Sequence, residues 1–221
     1  TPANVGEVRN TGIELELGYN TVFSNGLSLG VSGNLTTINN ELISIDEGIS
    51  EFTQGDGYRT AIGFPIGYFY GYQTDGLYQT EGEVANAIPD VNSQGPQPGD
   101  IRFVDTNGPA AEDAPEGQLF SGESDGIVDP NDRAYLGKTI PDFFYGLNIN
   151  AGFKDFDLSV LFQGVEGVQL YNQFRRDSES MTGGIRAEQA TTQNRWTGPN
   201  TSNDMPRAIA TDPNDNNRFS D

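Results

Sequence analysis

Cysteine and histidine are both missing from this 221-residue chain. Disulfides, Cys/His zinc sites, thiol catalysis and a Ser-His-Asp triad are therefore excluded within it. Positive charge is scarce: 12 Lys and Arg stand against 32 Asp and Glu, for a net charge of -20. Such a surface repels phosphate backbones, whose binding draws on counterion release by Lys and Arg, so nucleic acid is not an expected partner. No run approaches the roughly 18 consecutive apolar residues of a membrane-spanning helix. The opening Thr1-Pro2-Ala3-Asn4 has neither a basic region nor an apolar stretch. It is no signal peptide, and the expectation is a non-exported protein or an internal piece of a longer one.

Hydrophobic residues are also few, at 34%, which is thin material for one large core. Aromatics nevertheless reach 10%, with 13 Phe and 9 Tyr, too many for a simply disordered chain. With 28 Gly and no long helical pattern, the composition points to β-structure with extensive loops.

Two segments carry a clear period of two. Ile13, Leu15, Leu17 and Tyr19 alternate with Gly12, Glu14, Glu16, Gly18 and Asn20. Asn25-Gly26 then supplies a strong hairpin turn, and Leu27, Leu29, Val31, Gly33 and Leu35 continue the alternation. The pattern returns at Tyr145, Leu147, Ile149, Ala151 and Phe153. After a turn at Lys154-Asp155 it runs on through Phe156, Leu158, Val160 and Phe162, with Leu161 breaking it once.

Both tight turns lie at one end of the strands, and both long polar segments leave from the other. Outer-membrane barrels share this asymmetry, with short periplasmic turns and long extracellular loops. The expected fold class is therefore all-β: about four strands of a large antiparallel transmembrane β-barrel, too few to close one alone. The expected organisation is a barrel hairpin over 1–45, an extracellular loop region over 46–140, a second hairpin over 141–164 and a second loop region over 165–221. Alternation alone equally fits a soluble β-sandwich with one wet face.

Several ordered segments carry a family resemblance. They are Asn4-Val5-Gly6 through Glu14-Leu15; Gly63-Phe64-Pro65 through Gly71-Tyr72, with Asp75-Gly76-Leu77-Tyr78; and Pro98-Gly99-Asp100-Ile101-Arg102-Phe103-Val104-Asp105. Asp125-Gly126-Ile127-Val128-Asp129, Asp132-Arg133, Leu136-Gly137 and Pro141-Asp142-Phe143-Phe144-Tyr145-Gly146-Leu147 follow in order. Together they resemble the SusC/RagA-type TonB-dependent outer-membrane transporters of Bacteroidetes. The resemblance implies a late stretch of a barrel of about 22 strands, with the plug domain and its TonB contact outside this chain. It further implies the outer membrane as location, a non-enzymatic role, a SusD-like surface lipoprotein over the loops, and glycan or peptide oligomers as cargo. The rival reading is a soluble, calcium-stabilised β-domain for carbohydrate binding or adhesion. A glycoside-cleaving enzyme is a second rival, resting on acidic loop residues.

Two sets of residues are candidate sites. Asp105, Asn107, Asp125, the Ile127 carbonyl, Asp129 and Asp132 have the oxygen-ligand order of a calcium loop, with Gly126 at the sharp turn. The loop is split by an insertion, and Asp132 stands where a longer Glu is usual. Structural Ca²⁺ is the expected cofactor. The aromatic residues Phe64, Tyr68, Phe69, Tyr70, Tyr72 and Trp196 are candidates for ligand or partner contact, against a role in packing the loops. Glu14 and Glu16, two residues apart on a strand face, are read as wetted lumen rather than a catalytic pair.

Overall fold

The computed structural model describes residues 6–45, 51–53, 57–109, 121–181, 188–216 and 218–221. In chain order the strands are β1 (Gly6–Thr11), β2 (Glu14–Val22), β3 (Ser28–Thr37), β4 (Asn39–Ile45), β5 (Glu51–Thr53), β6 (Tyr58–Ala61), β7 (Tyr68–Gly71) and β8 (Thr74–Leu77). A short helix α1 (Glu81–Ala85) follows, then β9 (Ile101–Phe103), β10 (Ala134–Gly137), β11 (Phe143–Phe153), β12 (Phe156–Glu166) and helix α2 (Gln173–Glu179). The chain divides into two units: Thr1–Phe69 with Gly137–Leu170, and Tyr70–Leu136 with Tyr171–Asp221.

The first unit is built on an antiparallel sheet in the order β12-β11-β3-β2. Its register aligns the alternation of all four strands. Leu17, Gly33, Leu147 and Phe162 form one row, and Tyr19, Val31, Ile149 and Val160 form the next. One residue out of step, Glu16, Asn34, Gly146 and Gln163 share a row on the opposite face, as do Asn20, Gly30, Asn150 and Ser159. Since successive side chains point to opposite faces, one face is mainly apolar and the other mainly small and polar. Leu161 pairs with Asn148 and lands on the polar face, so the break in the pattern is real.

Among the described residues of the unit nothing buries the apolar face. Leu17 is 67% exposed and Phe156 79%, values that water would penalise and hydrocarbon would not. The strands are 9, 10, 11 and 11 residues long. At about 3.3 Å per residue and a tilt near 45°, that length crosses an apolar band of about 25 Å. The tight turns are as expected: Phe23 and Leu27 close the β2–β3 hairpin, and Lys154, with φ of 56°, turns β11 into β12.

At the far end the first hairpin outruns the sheet. β1 pairs with β4 in a separate ladder, Gly6 opposite Ile45 through Thr11 opposite Asn39. The break falls at Gly12, where a Cβ would overlap the Thr37 carbonyl, so only glycine lets the two strands close there. Thr37 bridges the gap: its amide donates to the Ile13 carbonyl (2.9 Å) and its hydroxyl accepts from the Ile13 amide (2.9 Å). The residues beyond this break carry a small core. Leu42 exchanges backbone hydrogen bonds with Phe64 and Gly63, and Asn40 accepts from the Ile66 amide at 2.8 Å.

The second unit contains a different core, in which Tyr72, Phe103 and Val128 pack together with Ile101 at their edge. β8 and β9 form its two-stranded ladder.

Replacing Leu17 by Arg puts a charge in the middle of the apolar face. In the membrane-embedded protein it should cost about 2–4 kcal/mol in a denaturant titration. Glu16→Arg, on the opposite face, should cost well under half of that. Equal penalties would overturn the assignment of the faces.

Candidate functional site in the acidic loop unit

The second unit substitutes charge for hydrophobic bulk. Asp100 and Asp132 are both fully buried. Asp100 is held by a forked pair with Arg207, whose Nε and Nη2 donate at 2.7 and 3.1 Å, and it also accepts from the Gln97 amide and Asn216 Nδ2. Such a bidentate, hydrogen-bonded pair is the form in which a buried carboxylate is tolerated. Arg218 repeats the device. It forks to Asp90, with Nη2 2.8 Å from Oδ2, and its guanidinium lies 3.8 Å from the Phe103 ring centroid. Arg133 stands over the Tyr72 ring at 5.4 Å.

The six residues read as a calcium loop fall together around hydrogen bonds to the main chain. Asp105 accepts from the Asp125 and Gly126 amides at 3.2 and 2.7 Å. Asp132 accepts from Thr106 and Asn107 through one oxygen, at 2.7 and 2.9 Å, and from Asp129 through the other, at 2.7 Å. Asp129 caps the short 3₁₀ turn Pro130–Asp132 by accepting from the Asn131 amide, and Asp125 accepts from Ile127. Asn107 accepts from Gly122 and donates to the Asn131 carbonyl. Of the insertion expected over residues 109–124, residues 110–120 lie outside the described residues. Among the described residues no three acidic side chains converge on a common centre. The oxygens that a cation would use are oriented by amides.

Burial pushes the Asp132 carboxyl above its ordinary value, with the Asp105 charge adding to it and the three amides opposing it. Asp212 is raised for the same reason, burial first, with Asp100 and Asp215 adding their charge. Glu179 moves the other way, held down by hydrogen bonds from Thr191 and Arg175.

The aromatic candidates separate by burial. Tyr68, Phe69 and Tyr72 are buried, which takes them out of reach of a ligand. Tyr68 stacks with Phe64 and Phe69 with Tyr58, each at 5.0 Å, while Tyr72 meets Phe103 edge-on at 5.8 Å. Phe64 keeps an exposed face, and Tyr70 and Trp196 are half-buried. Trp196 lies over Gly99, whose φ of 90° and missing Cβ admit the indole, and its Nε1 donates to Gln79 at 3.1 Å. Sequence reasoning passed over Arg207 and Arg218. The available signal was scarcity: in so acidic a chain, a loop arginine is a strong candidate for a buried clamp.

These features define a class of protein, a segment of an outer-membrane β-barrel carrying a structured loop unit. Comparison with known proteins makes it more specific. The chain is 26% identical over 212 residues to TonB-dependent receptor P26 and 25% identical to TonB-dependent receptor P3, both of Formosa agariphila. The matches cover 93% and 92% of this chain, which spans about a fifth of the length of either relative (19% in each case). Among solved structures it resembles the RagAB peptide transporter, with a TM-score of 0.66 at 19% identity over 98% of this chain and 20% of that one. The RagAB importer in its open-open state gives 0.64 at 19% identity. No family model matches the chain. The TonB-dependent receptor relatives bear out the resemblance to TonB-dependent outer-membrane transporters, and the solved structures bear out the barrel fold. The relatives are receptors and transporters, not enzymes, as the sequence led us to expect.

Asp132→Ala would leave three partly buried amides without an acceptor. The amides of Thr106, Asn107 and Asp129 should then lose hydrogen-exchange protection by roughly 3 kcal/mol, since each unsatisfied buried donor costs about 1–3 kcal/mol. A raised folded-state carboxyl means that the folded form holds its proton more tightly than the unfolded form does. The contributions of Asp132 and Asp212 therefore favour folding as pH falls through their raised values, and turn into a penalty at neutral pH. Protection of this loop should rise, not fall, on mild acidification, and Asp132→Asn should flatten that rise.

Proposed function

We propose that this chain is part of the barrel and outer loops of a transporter that carries nutrient oligomers, glycans or peptides, across the outer membrane. The observation that carries the reading is the aligned apolar face of all four strands, with both hairpin turns at one end of the sheet and the long segments leaving the strands at the other. A soluble sandwich would bury that face. The SusD-like lipoprotein expected from the family resemblance would meet the outer loops, where Phe64 in the first unit and Tyr70 and Trp196 in the second retain accessible surface. TonB would act through a plug that is not among these residues.

Energised uptake gives the test. A labelled oligomer that enters wild-type cells should fail to enter cells lacking TonB, and the protein should fractionate with the outer membrane. Co-purification of a surface lipoprotein should weaken when Phe64 is replaced by Asp. Uptake that continues undiminished without TonB would overturn the proposal.

We extend the proposal to a structural Ca²⁺ at the acidic loop. A carboxylate offers about four acceptor positions, and the amides at Asp105, Asp129 and Asp132 leave some of them open. Flexible oxygen donors of this kind suit Ca²⁺ better than a transition metal. Calorimetric titration should show saturable binding at millimolar Ca²⁺, lost in Asp125→Ala. No uptake of the ion in that range would remove it.

A further inference from the structure

The apolar face of the four-stranded sheet has two rims, and each is edged by aromatic rings. At the turn end its last row is Phe153 opposite Phe156, both exposed. At the other end Phe143 and Tyr145 close the face, with ring centroids 6.2 Å apart, and Gly164 lacks the Cβ that would bar the Tyr145 ring. From Phe143 to Phe153 the strand rises about 33 Å, or about 24 Å across a membrane at a tilt near 45°. The two aromatic rims therefore stand one apolar band apart, since that band is about 25 Å tall.

The same face continues past the far rim. Ile13 meets Thr37 across the break at Gly12, and the β1–β4 ladder goes on in unbroken register, Thr11 opposite Asn39 and Arg9 opposite Glu41. Arg9 is thus on the side of Ile13, Leu15 and Leu17. Burial agrees, because Asn40 and Leu42 on the other side of β4 are buried while Asn39 is exposed. Arg9 stands about 13 Å along the strand beyond Ile13, or about 9 Å in height. That is the depth of the headgroups, and a long side chain can reach down into them. At the turn end Lys154 holds its Nζ 5.1 Å from the Phe153 ring centroid, at the opposite edge of the same face.

Charge sets these two cations apart. Arg59, Arg102, Lys138, Arg175, Arg207 and Arg218 each meet a carboxylate. Among the described residues Arg9 and Lys154 meet none, although the chain holds 32 Asp and Glu. Glu16 and Asp157 lie on the polar face and point away from both rims.

We propose that Arg9 and Lys154 bind the phosphates of membrane lipids whose acyl chains lie along the apolar face, one cation serving each leaflet. Glu41 and Glu166 share the far rim, so a freely diffusing anion finds no net positive patch there. A lipid phosphate is brought to that height by its own chains. The pair would fix the height of the sheet in the bilayer.

The test uses the full-length protein in detergent, titrated with dioleoylphosphatidylglycerol and, in parallel, with dioleoylglycerol and inorganic phosphate, with bound molecules counted by native mass spectrometry. The phosphatidylglycerol should be retained well above the phosphate-free lipid. Arg9→Gln combined with Lys154→Gln should need about fivefold more phosphatidylglycerol for equal occupancy. Arg9→Lys combined with Lys154→Arg should bind as wild type, and so should Lys138→Gln, whose cation is already paired with Asp142. The Gln variant should melt with the wild type in lipid-free detergent, because neither side chain has a carboxylate to lose. The proposal is overturned if the Gln variant binds phosphatidylglycerol as wild type, if it melts lower in lipid-free detergent, if dioleoylglycerol binds equally well, or if inorganic phosphate displaces the lipid. The inference rests on the membrane orientation of the sheet, and its readout needs neither TonB nor uptake, so it fails or succeeds separately from the transport reading.

Discussion

An unpaired backbone amide in hydrocarbon costs several kcal/mol, and the four-stranded sheet of this chain is organised by that penalty. Strand pairing satisfies the amides, and pairing in one register forces the side chains into two sets. A slip of one residue between β3 and β11 would carry Asn148 and Asn150 onto the apolar face and Leu147 and Ile149 onto the polar one. The same pairing leaves β2 and β12 as outer strands of the sheet. Their free edges need neighbours, as expected of a segment that spans a fifth of its relatives' length.

The loop unit obeys the opposite economy. Its apolar core is a handful of residues, and its order comes from carboxylates that accept main-chain amides or grip arginines. Asp132 organises three amides and Asp100 gathers Arg207, Gln97 and Asn216. A polar network of this kind is stable only when every member is satisfied.

The hairpins were legible in the sequence because their signal is local. A period of two and an Asn-Gly turn are visible within a dozen residues. The ladder between β1 and β4 was less so, because Gly6–Thr11 and Asn39–Ile45 lack clean alternation and the break at Gly12 depends on a carbonyl 25 residues away. In the loops the spacing of oxygen-bearing residues from Asp105 to Asp132 picked out side chains that the fold holds near one another. It did not reveal that amides would occupy many of those oxygens. The clamps were least visible, since Arg207 reaches Asp100 across 107 residues and Arg218 reaches Asp90 across 128. The aromatic block illustrates the same limit, for composition marks Tyr68, Phe69 and Tyr72 as sticky without saying that they are buried.

Those long-range clamps have a bearing on biogenesis. Residues 70–136 and 171–221 make one unit, but the β11–β12 hairpin lies between them in the chain. Asp90, Asp100 and Thr74 emerge early in synthesis and stay without Arg218, Arg207 and Asp221 until that hairpin has been made. The first half of the loop unit therefore carries Asp90 and Asp100 without the arginines that neutralise them until the second half is present. Its closure becomes a late event, timed by the arrival of the second half.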